Sequence, residues 1–469
     1  MVLAAGAGVI GPALWRAGIR GWPLVCYTVG LAPALGFGPL SLLFFYARLG
    51  DLARPGLWTV AMVLASVLVL AVWCTPSRTV ERTSSPGARG SRLLAVAALL
   101  ALATSGIGAL IVHDVQRRAW PEGTHDAVAV WNVRALFFYR DAQAFPARLR
   151  EVEPRSHPHY PLFLPLAVAG QYALAEREAM AVPQATALAF VLATGFLLVA
   201  VLADVGHWPL GALAAALFWT TPVALLWGFS QGADGAVGYF LFVAVAALAA
   251  GLDDGLRLPR WLGGLALGLL AWTKNEGLVL AGLTGALYLL YRWAQRHRIS
   301  GRELATLIAW SVPGLAALLL MKTWWAPESG LTTYLKGDWR ARILQWQRWS
   351  YPLTEFAARF VGARGVEGWS ANWPVLLAGG VIAGLWARRG RANGAGFWLG
   401  VLLLATLSFV GFYAVAPYEQ RWLVAGSIDR LMLQLYPVAI GGVFLAIARL
   451  GDSPAARSGD GAMTSEASR

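Results

Sequence analysis

Charged residues are scarce in this sequence of 469 residues. Asp, Glu, Lys and Arg together make up 13% of it, about half the share in an ordinary soluble domain. Hydrophobic residues make up 58%, and the mean hydropathy is +0.57. A soluble protein of this composition would expose too much apolar surface to water. The shortage of charge therefore excludes a disordered chain and indicates a polytopic membrane protein.

Cysteine is also rare, and the only two, Cys26 and Cys74, lie in apolar runs. Their spacing suggests neither a disulfide nor a thiolate metal site, which excludes a secreted disulfide scaffold. Acidic residues are outnumbered, with a formal net charge of +13. In a membrane protein this excess is typical of basic loops that fix topology and meet anionic headgroups. We therefore expect membrane lipids, and no nucleic acid, as partners.

Apolar runs of about 20 residues predict spanning helices. These spans must be α-helical, because lipid cannot satisfy unpaired backbone groups. The runs of this kind are 24–46, 56–74, 93–112, 183–203, 208–228, 236–252, 261–275, 277–293, 304–322, 374–387, 396–416 and 430–449. Two shorter runs, 1–15 and 161–175, are either partly spanning, re-entrant or interfacial. The sequence thus predicts an all-α polytopic membrane protein with about 12–14 transmembrane helices.

Dense basic clusters at 78–92, 292–302 and 388–391 predict the cytoplasmic side. The two long loops, 113–160 and 323–373, are then expected outside. The predicted parts of the chain are N-terminal helices with a basic cytoplasmic loop over 1–92, a catalytic membrane domain over 93–449, and a polar, disordered cytoplasmic tail over 450–469.

Both outer loops contain segments with the periodicity of amphipathic helices on a membrane surface. In the first loop, the residues at helical spacing are Val130, Trp131, Arg134 and Phe138. In the second, the residues predicted to share one helical face are Trp339, Ile343 and Trp346. An aromatic belt at the headgroups would also explain the tryptophans without any further role.

Ionisable residues near membrane helices are functional candidates, because each is costly unless it is paired or hydrated. Four separate segments deliver such residues to the predicted outer rim: Asp126, Asp234, Lys274 with Glu276, and Asp429 with Arg430. Each has a structural alternative. Asp126 would serve as a helix N-cap, Asp234 as a turn residue between glycines, and Lys274 as a snorkelling anchor. Asp429 and Arg430 would form a local ion pair or anchor a helix end.

Four of the six histidines lie in the first outer loop, namely His113, His125, His157 and His159. Imidazole and carboxylate groups are zinc ligands, but no helical pair of histidines or known ligand spacing is present. We therefore assign no metal ligands from the sequence and leave a divalent metal ion open as a cofactor.

The order of the segments resembles a known group of enzymes. The series is GTHDAVAVWNVRALFFYR, then HPHYPLFLPL, QGAD, TKNEG and a terminal IDRLMLQLYP. It is similar to the bacterial polytopic glycosyltransferases of the GT-C superfamily, near the protein mannosyltransferase and aminoarabinose transferase branch of glycosyltransferase family 39. The resemblance covers about residues 93–449. It implies transfer of a sugar, with inversion, from a polyprenyl-phosphate carrier to an envelope glycan, lipid or protein.

The resemblance also implies roles for particular residues. Asp126 would act as the general base on the acceptor hydroxyl, and Asp234 would assist the acceptor or a metal. Lys274 and Arg430 would bind the donor phosphate, with Asp429 orienting Arg430.

Supporting positions follow from the same resemblance. Glu276 lies beside the expected phosphate-binding lysine, and His157 and Tyr160 match a segment that is structural or lines the substrate. His125 departs from the pattern, because a tryptophan often precedes the aspartate of the first loop.

The chemistry agrees with these residue types. A carboxylate deprotonates the incoming hydroxyl, and cations stabilise the departing phosphate. The sequence contains no Gly-rich phosphate loop or Rossmann signature, and this reaction needs neither. The expected location is the cytoplasmic membrane, with the active site on its outer side. The alternative is a transporter or flippase for a lipid-linked or small solute, which would place broken helices and charges near the middle of the membrane.

Overall fold

The computed structural model describes most of the chain. The described residues are 1–49, 92–141, 157, 159–252, 255–295, 299–326, 338–361, 372–373, 376, 378–380 and 393–450. Every regular element within them is a helix. The predicted span 56–74 and most of the predicted span 374–387 lie outside the described residues. The same holds for the basic cluster 78–92 except its last residue, the cluster 388–391 and the tail from residue 451.

The α-helices are numbered in chain order. They are α1 (Val2–Arg16), α2 (Gly21–Leu49), α3 (Arg92–Ala119), α4 (Val133–Arg140), α5 (Phe163–Ala175), α6 (Ala181–Asp204), α7 (Trp208–Thr220), α8 (Pro222–Gly228), α9 (Asp234–Ala249), α10 (Arg260–Thr273), α11 (Asn275–Ala294), α12 (Gly301–Leu320), α13 (Trp339–Leu344), α14 (Gln347–Phe360), α15 (Asn393–Val415) and α16 (Gln420–Leu450). Two π-helical turns, Ala127–Asn132 and Met321–Trp325, precede α4 and follow α12.

Helix α9 is at the centre of the molecule. All but one of its 16 residues are buried, as expected of a helix that is apolar on every side. It packs against α6, α10 and α16. By contrast, only 17% of the apolar stretch of α3 is buried within the protein. This helix therefore lies at the periphery and presents its apolar side chains outward.

Several helices are long and apolar enough to cross a membrane. Within the described part of the chain there are seven, or eight if α7 and α8 form one bent span. Helices α1, α5 and α9 are apolar but shorter. The predicted class is therefore confirmed, and the chain is an all-α, multi-pass membrane protein.

Several predicted spans differ from the observed helices. The runs 236–252 and 261–275 form α9 and α10, which have 16 and 14 residues and are not among the helices long enough to cross a membrane. The run 208–228 is not continuous, because α7 and α8 meet at an angle of 69°. Pro222 begins α8 and has no N–H to continue the hydrogen-bond ladder of α7. The last span was predicted from residue 430, but α16 already begins at Gln420, since a helix continues past the point where its sequence becomes polar.

The loop segments also differ from their prediction. Val130, Trp131, Arg134 and Phe138 do share a helical face, but that face is buried within the protein. The expected helix through Trp339, Ile343 and Trp346 is interrupted, since α13 ends at Leu344 and α14 begins at Gln347.

Candidate functional site

A buried carboxylate, Asp234, lies in the first turn of α9, and its side chain is only 3% exposed. Its Oδ1 accepts hydrogen bonds from Lys274 Nζ at 2.8 Å and from Gln434 Nε2 at 2.6 Å. Its Oδ2 accepts from Arg430 Nε at 2.8 Å. The position at a helix N-terminus further stabilises the negative charge. One carboxylate thus holds two cations.

Three parts of the fold bring these groups together. Lys274 is the single residue between α10 and α11, and its backbone is extended. Arg430 and Gln434 are four residues apart on α16 and share one face. Gly238 allows α9 to approach α16, because a Cβ at that position would lie 3.1 Å from the carbonyl oxygen of Leu433.

Arg430 extends the ion pair towards solvent. Its Nη1 lies 2.6 Å from Oδ2 of Asp126, whose side chain is 40% exposed. The guanidinium carbon lies 5.5 Å from the centre of the Trp227 ring, which is within cation–π range. The result is a chain of charges that runs from the buried Asp234 through Arg430 to the accessible Asp126.

Glu276 is the third carboxylate of the cluster. Its Oε1 lies 3.3 Å from Lys274 Nζ. Its Oε2 is buried and has no hydrogen-bond partner within the described part of the chain. A buried acceptor of this kind normally has a partner, so this oxygen is suited to a hydroxyl donor from a ligand.

The cluster lies at one end of the membrane helices. Lys274 immediately precedes α11, whose 20 residues extend about 30 Å. That length equals the hydrocarbon thickness of a bilayer, also about 30 Å. The charged groups therefore lie close to one boundary of the apolar layer that α11 is long enough to cross.

The structure brings together residues that are far apart in the sequence. Asp126, Asp234, Lys274 and Arg430, each predicted as a site residue, form one continuous set of ion pairs. No family model, curated protein or solved structure matches this chain.

Two of the structural alternatives are absent from the structure. Asp126 precedes the π-helical turn but makes no capping hydrogen bond with its side chain. Lys274 does not snorkel outward, because its side chain is 5% exposed and is paired with Asp234.

Asp429 was predicted to orient Arg430, and the structure differs. Asp429 Oδ1 accepts from Arg359 Nε at 3.0 Å, and Arg359 also donates to Glu355 at 2.8 Å. Arg430 is oriented by Asp234 and Asp126. Neighbouring residues on a helix point about 100° apart, so Asp429 faces α14 while Arg430 faces α9.

The HPHY segment lies beside the ion pairs. The ring of His157 stacks on Tyr160 at 4.8 Å, and Tyr160 stacks on Trp131 at 5.8 Å. Partial desolvation lowers the pKa of His157 although part of its side chain is exposed, and burial together with nearby cations lowers the pKa of His159 to about 4. Both imidazoles are therefore neutral at pH 7. His125, next to Asp126, is exposed.

Sequence reasoning missed three polar residues of this region. They are Gln434 on Asp234, the fully buried Arg134, and Lys322, which donates to Asn275 Oδ1 at 2.8 Å. Two of them had a signal in the sequence. Gln434 is a polar residue within an apolar span, and Lys322 is one of only three lysines.

No metal site is formed by the described residues, since none of them make up a group of three or more His, Cys, Asp or Glu side chains with suitable geometry. The cations of the cluster are instead lysine and arginine, which bind phosphate directly.

Proposed function

We propose that this protein is an inverting glycosyltransferase, which moves a sugar from a polyprenyl-phosphate carrier to an acceptor at the outer face of the cytoplasmic membrane. The observation that carries the proposal is the ion pair between Asp126 and Arg430. Arg430 and Lys274 are both paired with Asp234. A carboxylate that accepts a proton and cations that bind a phosphate are thus adjacent, and inverting transfer needs this pair of functions.

The chemistry follows from that geometry. Asp126 takes the proton of the acceptor hydroxyl, and the hydroxyl oxygen forms a bond to the anomeric carbon. The bond between that carbon and the phosphate oxygen breaks on the opposite face, and the electron pair leaves with the phosphate. Lys274 and Arg430 stabilise the charge that the phosphate gains. Asp234 keeps both cations in place, so little reorganisation accompanies the reaction.

The ion pair between Arg430 and Asp126 gives an order to the steps. While Arg430 Nη1 contacts Oδ2 of Asp126, lone pairs of that carboxylate are occupied. A donor phosphate competes for the same guanidinium, because arginine binds phosphate through parallel hydrogen bonds. Donor binding then frees Asp126 to accept the hydroxyl proton.

The test compares transfer by the purified, reconstituted protein and its Asp126→Asn variant, using polyprenyl-phosphate sugars with glycan, lipid and peptide acceptors. We expect Asp126→Asn to lower the rate by about 10²–10⁴-fold, the usual contribution of a general base. Asp114→Asn is the matched control, since Asp114 pairs with Arg117 and Arg118 on the exposed end of α3. Full activity of Asp126→Asn would remove Asp126 from the mechanism.

A transporter or flippase for lipid-linked solutes is the second candidate. The 69° bend between α7 and α8 favours it, because discontinuous helices are common at transporter substrate sites. Proteoliposomes separate the two functions. Movement of a labelled lipid-linked sugar between leaflets without any transfer product would support the transporter and contradict the transferase.

A further inference from the structure

The backbone of His157 is strained. Its φ is +49°, a left-handed conformation that residues with a side chain rarely adopt. Glu176 has a similar φ, but it is the C-cap of α5, where that conformation is common. His157 lies in the connection before α5. Strain of this kind persists where neighbouring contacts enforce it, and it is enriched at ligand sites.

Arg134 holds the backbone at His157 in this conformation through hydrogen bonds to carbonyl oxygens. Its side chain is fully buried, and its guanidinium donates to the carbonyl oxygens of Tyr160 at 3.2 Å and His157 at 3.5 Å. A buried guanidinium is costly unless its N–H groups have partners. A buried cation therefore binds the backbone at both ends of this short segment, at His157 and at Tyr160.

Lys322 holds the middle of the segment. Its Nζ donates to the carbonyl oxygen of His159 and to Asn275 Oδ1. Asn275 immediately follows Lys274, so this contact ties the HPHY segment to the turn that carries the candidate phosphate-binding lysine. The two cations together fix the position of the His157 ring relative to the ion-pair cluster.

The ring held in this way is the accessible end of a stack. Trp131, at the base, is 1% exposed, Tyr160 is half-buried, and His157 is exposed. The planes of His157 and Tyr160 are inclined by only 12°. A flat ring that is supported on Tyr160 and exposed to solvent suits the apolar C–H face of a sugar, which packs on aromatic surfaces while its hydroxyls bind polar groups.

Polar groups are available beside that face. The charges of Asp126, Lys274 and Glu276 all act on His157, so its ring lies near both the candidate base and the candidate phosphate-binding cation. Glu276 Oε2, buried and without a partner in the described residues, is suited to accept a sugar hydroxyl. The transferred sugar has to lie in this place, between base and phosphate.

We propose that His157 is a substrate-binding residue, whose imidazole stacks against the transferred sugar of the donor, and that Arg134 and Lys322 are positioning residues which act on the backbone around it. This inference rests on the proposed glycosyltransferase function.

Two substitutions at His157 separate the ring from the backbone. His157→Gly removes the ring and relieves the strain, because glycine adopts a φ of +49° freely. His157→Phe keeps a flat ring on the same backbone. Each variant is compared with wild type in the transfer assay, with the polyprenyl-phosphate sugar that wild type uses, and in thermal unfolding. His207→Gln, at the start of α7, is the control for loss of a histidine outside the site.

We expect His157→Gly to raise the KM for the donor at least tenfold, with kcat within about threefold and a melting temperature equal to or above that of wild type. His157→Phe should keep the donor KM within about threefold. An unchanged donor KM in His157→Gly, or a rise confined to the acceptor KM, would overturn the inference and leave the proposed function standing. Absence of transfer by wild type with every donor would overturn both.

Discussion

Asp234 illustrates how much a single buried side chain determines in this protein. Its two carboxylate oxygens accept from Lys274, Gln434 and Arg430, which come from two other parts of the chain. Such a buried ion pair adds little net stability, because desolvation offsets the attraction. Losing one partner is costly, however, since the remaining charges stay buried without compensation. The carboxylate of Asp234 is therefore required to keep Lys274 and Arg430 in their positions in the site.

This argument predicts the effect of Asp234→Asn. The substitution keeps the shape of the side chain but removes its charge, so Lys274 and Arg430 lose their buried partner and keep only the more exposed Glu276 and Asp126. We expect a loss of about 3–5 kcal/mol in the free energy of unfolding, measured by thermal or denaturant unfolding in detergent.

Removing one cation as well provides the control. The double variant Asp234→Asn/Lys274→Met removes the more buried of the two cations, which has lost its buried partner, and should recover part of the stability. If Asp234→Asn unfolds like wild type, the three groups are not coupled as the structure implies.

At the scale of the elements, the close packing of α6 on α7 rests on a glycine. A Cβ at Gly195 would lie 2.3 Å from two ring carbons of Trp219, a distance that real contacts do not reach. Trp219 is itself fixed, because its Nε1 donates to the carbonyl oxygen of Val191 at 3.1 Å. The indole therefore cannot move aside without losing a buried hydrogen bond.

Gly195→Ala is accordingly expected to lower the melting temperature, in line with the cost of about 1–3 kcal/mol for overpacking a core. Gly282→Ala on α11 is the matched substitution, because nothing lies within 4 Å of the added Cβ. There the gain in helix propensity should leave stability equal or higher. Equal behaviour of both variants would contradict the packing of α6 on α7.

The helices also show which parts of the fold could be predicted from the sequence and which could not. Hydropathy located the membrane helices, since burial in lipid or in protein demands the same apolar side chains. It missed the break between Thr220 and Pro222, because the residues on both sides are apolar. It placed the start of α16 too late, since hydropathy reports polarity and the helix continues through polar residues from Gln420.

The same limit applies to the candidate site. Asp126, Asp234, Lys274 and Arg430 were predictable, because ionisable residues next to apolar helices need partners. Their pairing was not predictable, since it depends on how helices far apart in the chain pack together. Asp429 was therefore paired with its neighbour Arg430, whereas the structure pairs it with Arg359 from α14.

At the scale of the whole molecule, the orientation in the membrane is a prediction from the basic loops. Asp126 and the cluster around residues 292–302 are expected on opposite faces. The test places single cysteines, His125→Cys and Arg298→Cys, in a background without Cys26 and Cys74. A membrane-impermeant thiol reagent applied to intact cells should label the cysteine at 125, and the cysteine at 298 only after permeabilisation. Labelling of both from outside would contradict the topology.

The ion pair between Asp234 and Arg430 has a consequence for biosynthesis. Arg430 follows Asp234 by 196 positions, so α9 is synthesised and inserted well before α16. During that interval Asp234 has Lys274, which comes 40 positions later, and it still lacks its second cation. Arg430 must then enter next to the apolar layer, where a lone arginine is costly, and the carboxylate already there offsets that cost. Completion of the site is thus coupled to insertion of the last helix, and a chain that ends before α16 has no candidate site.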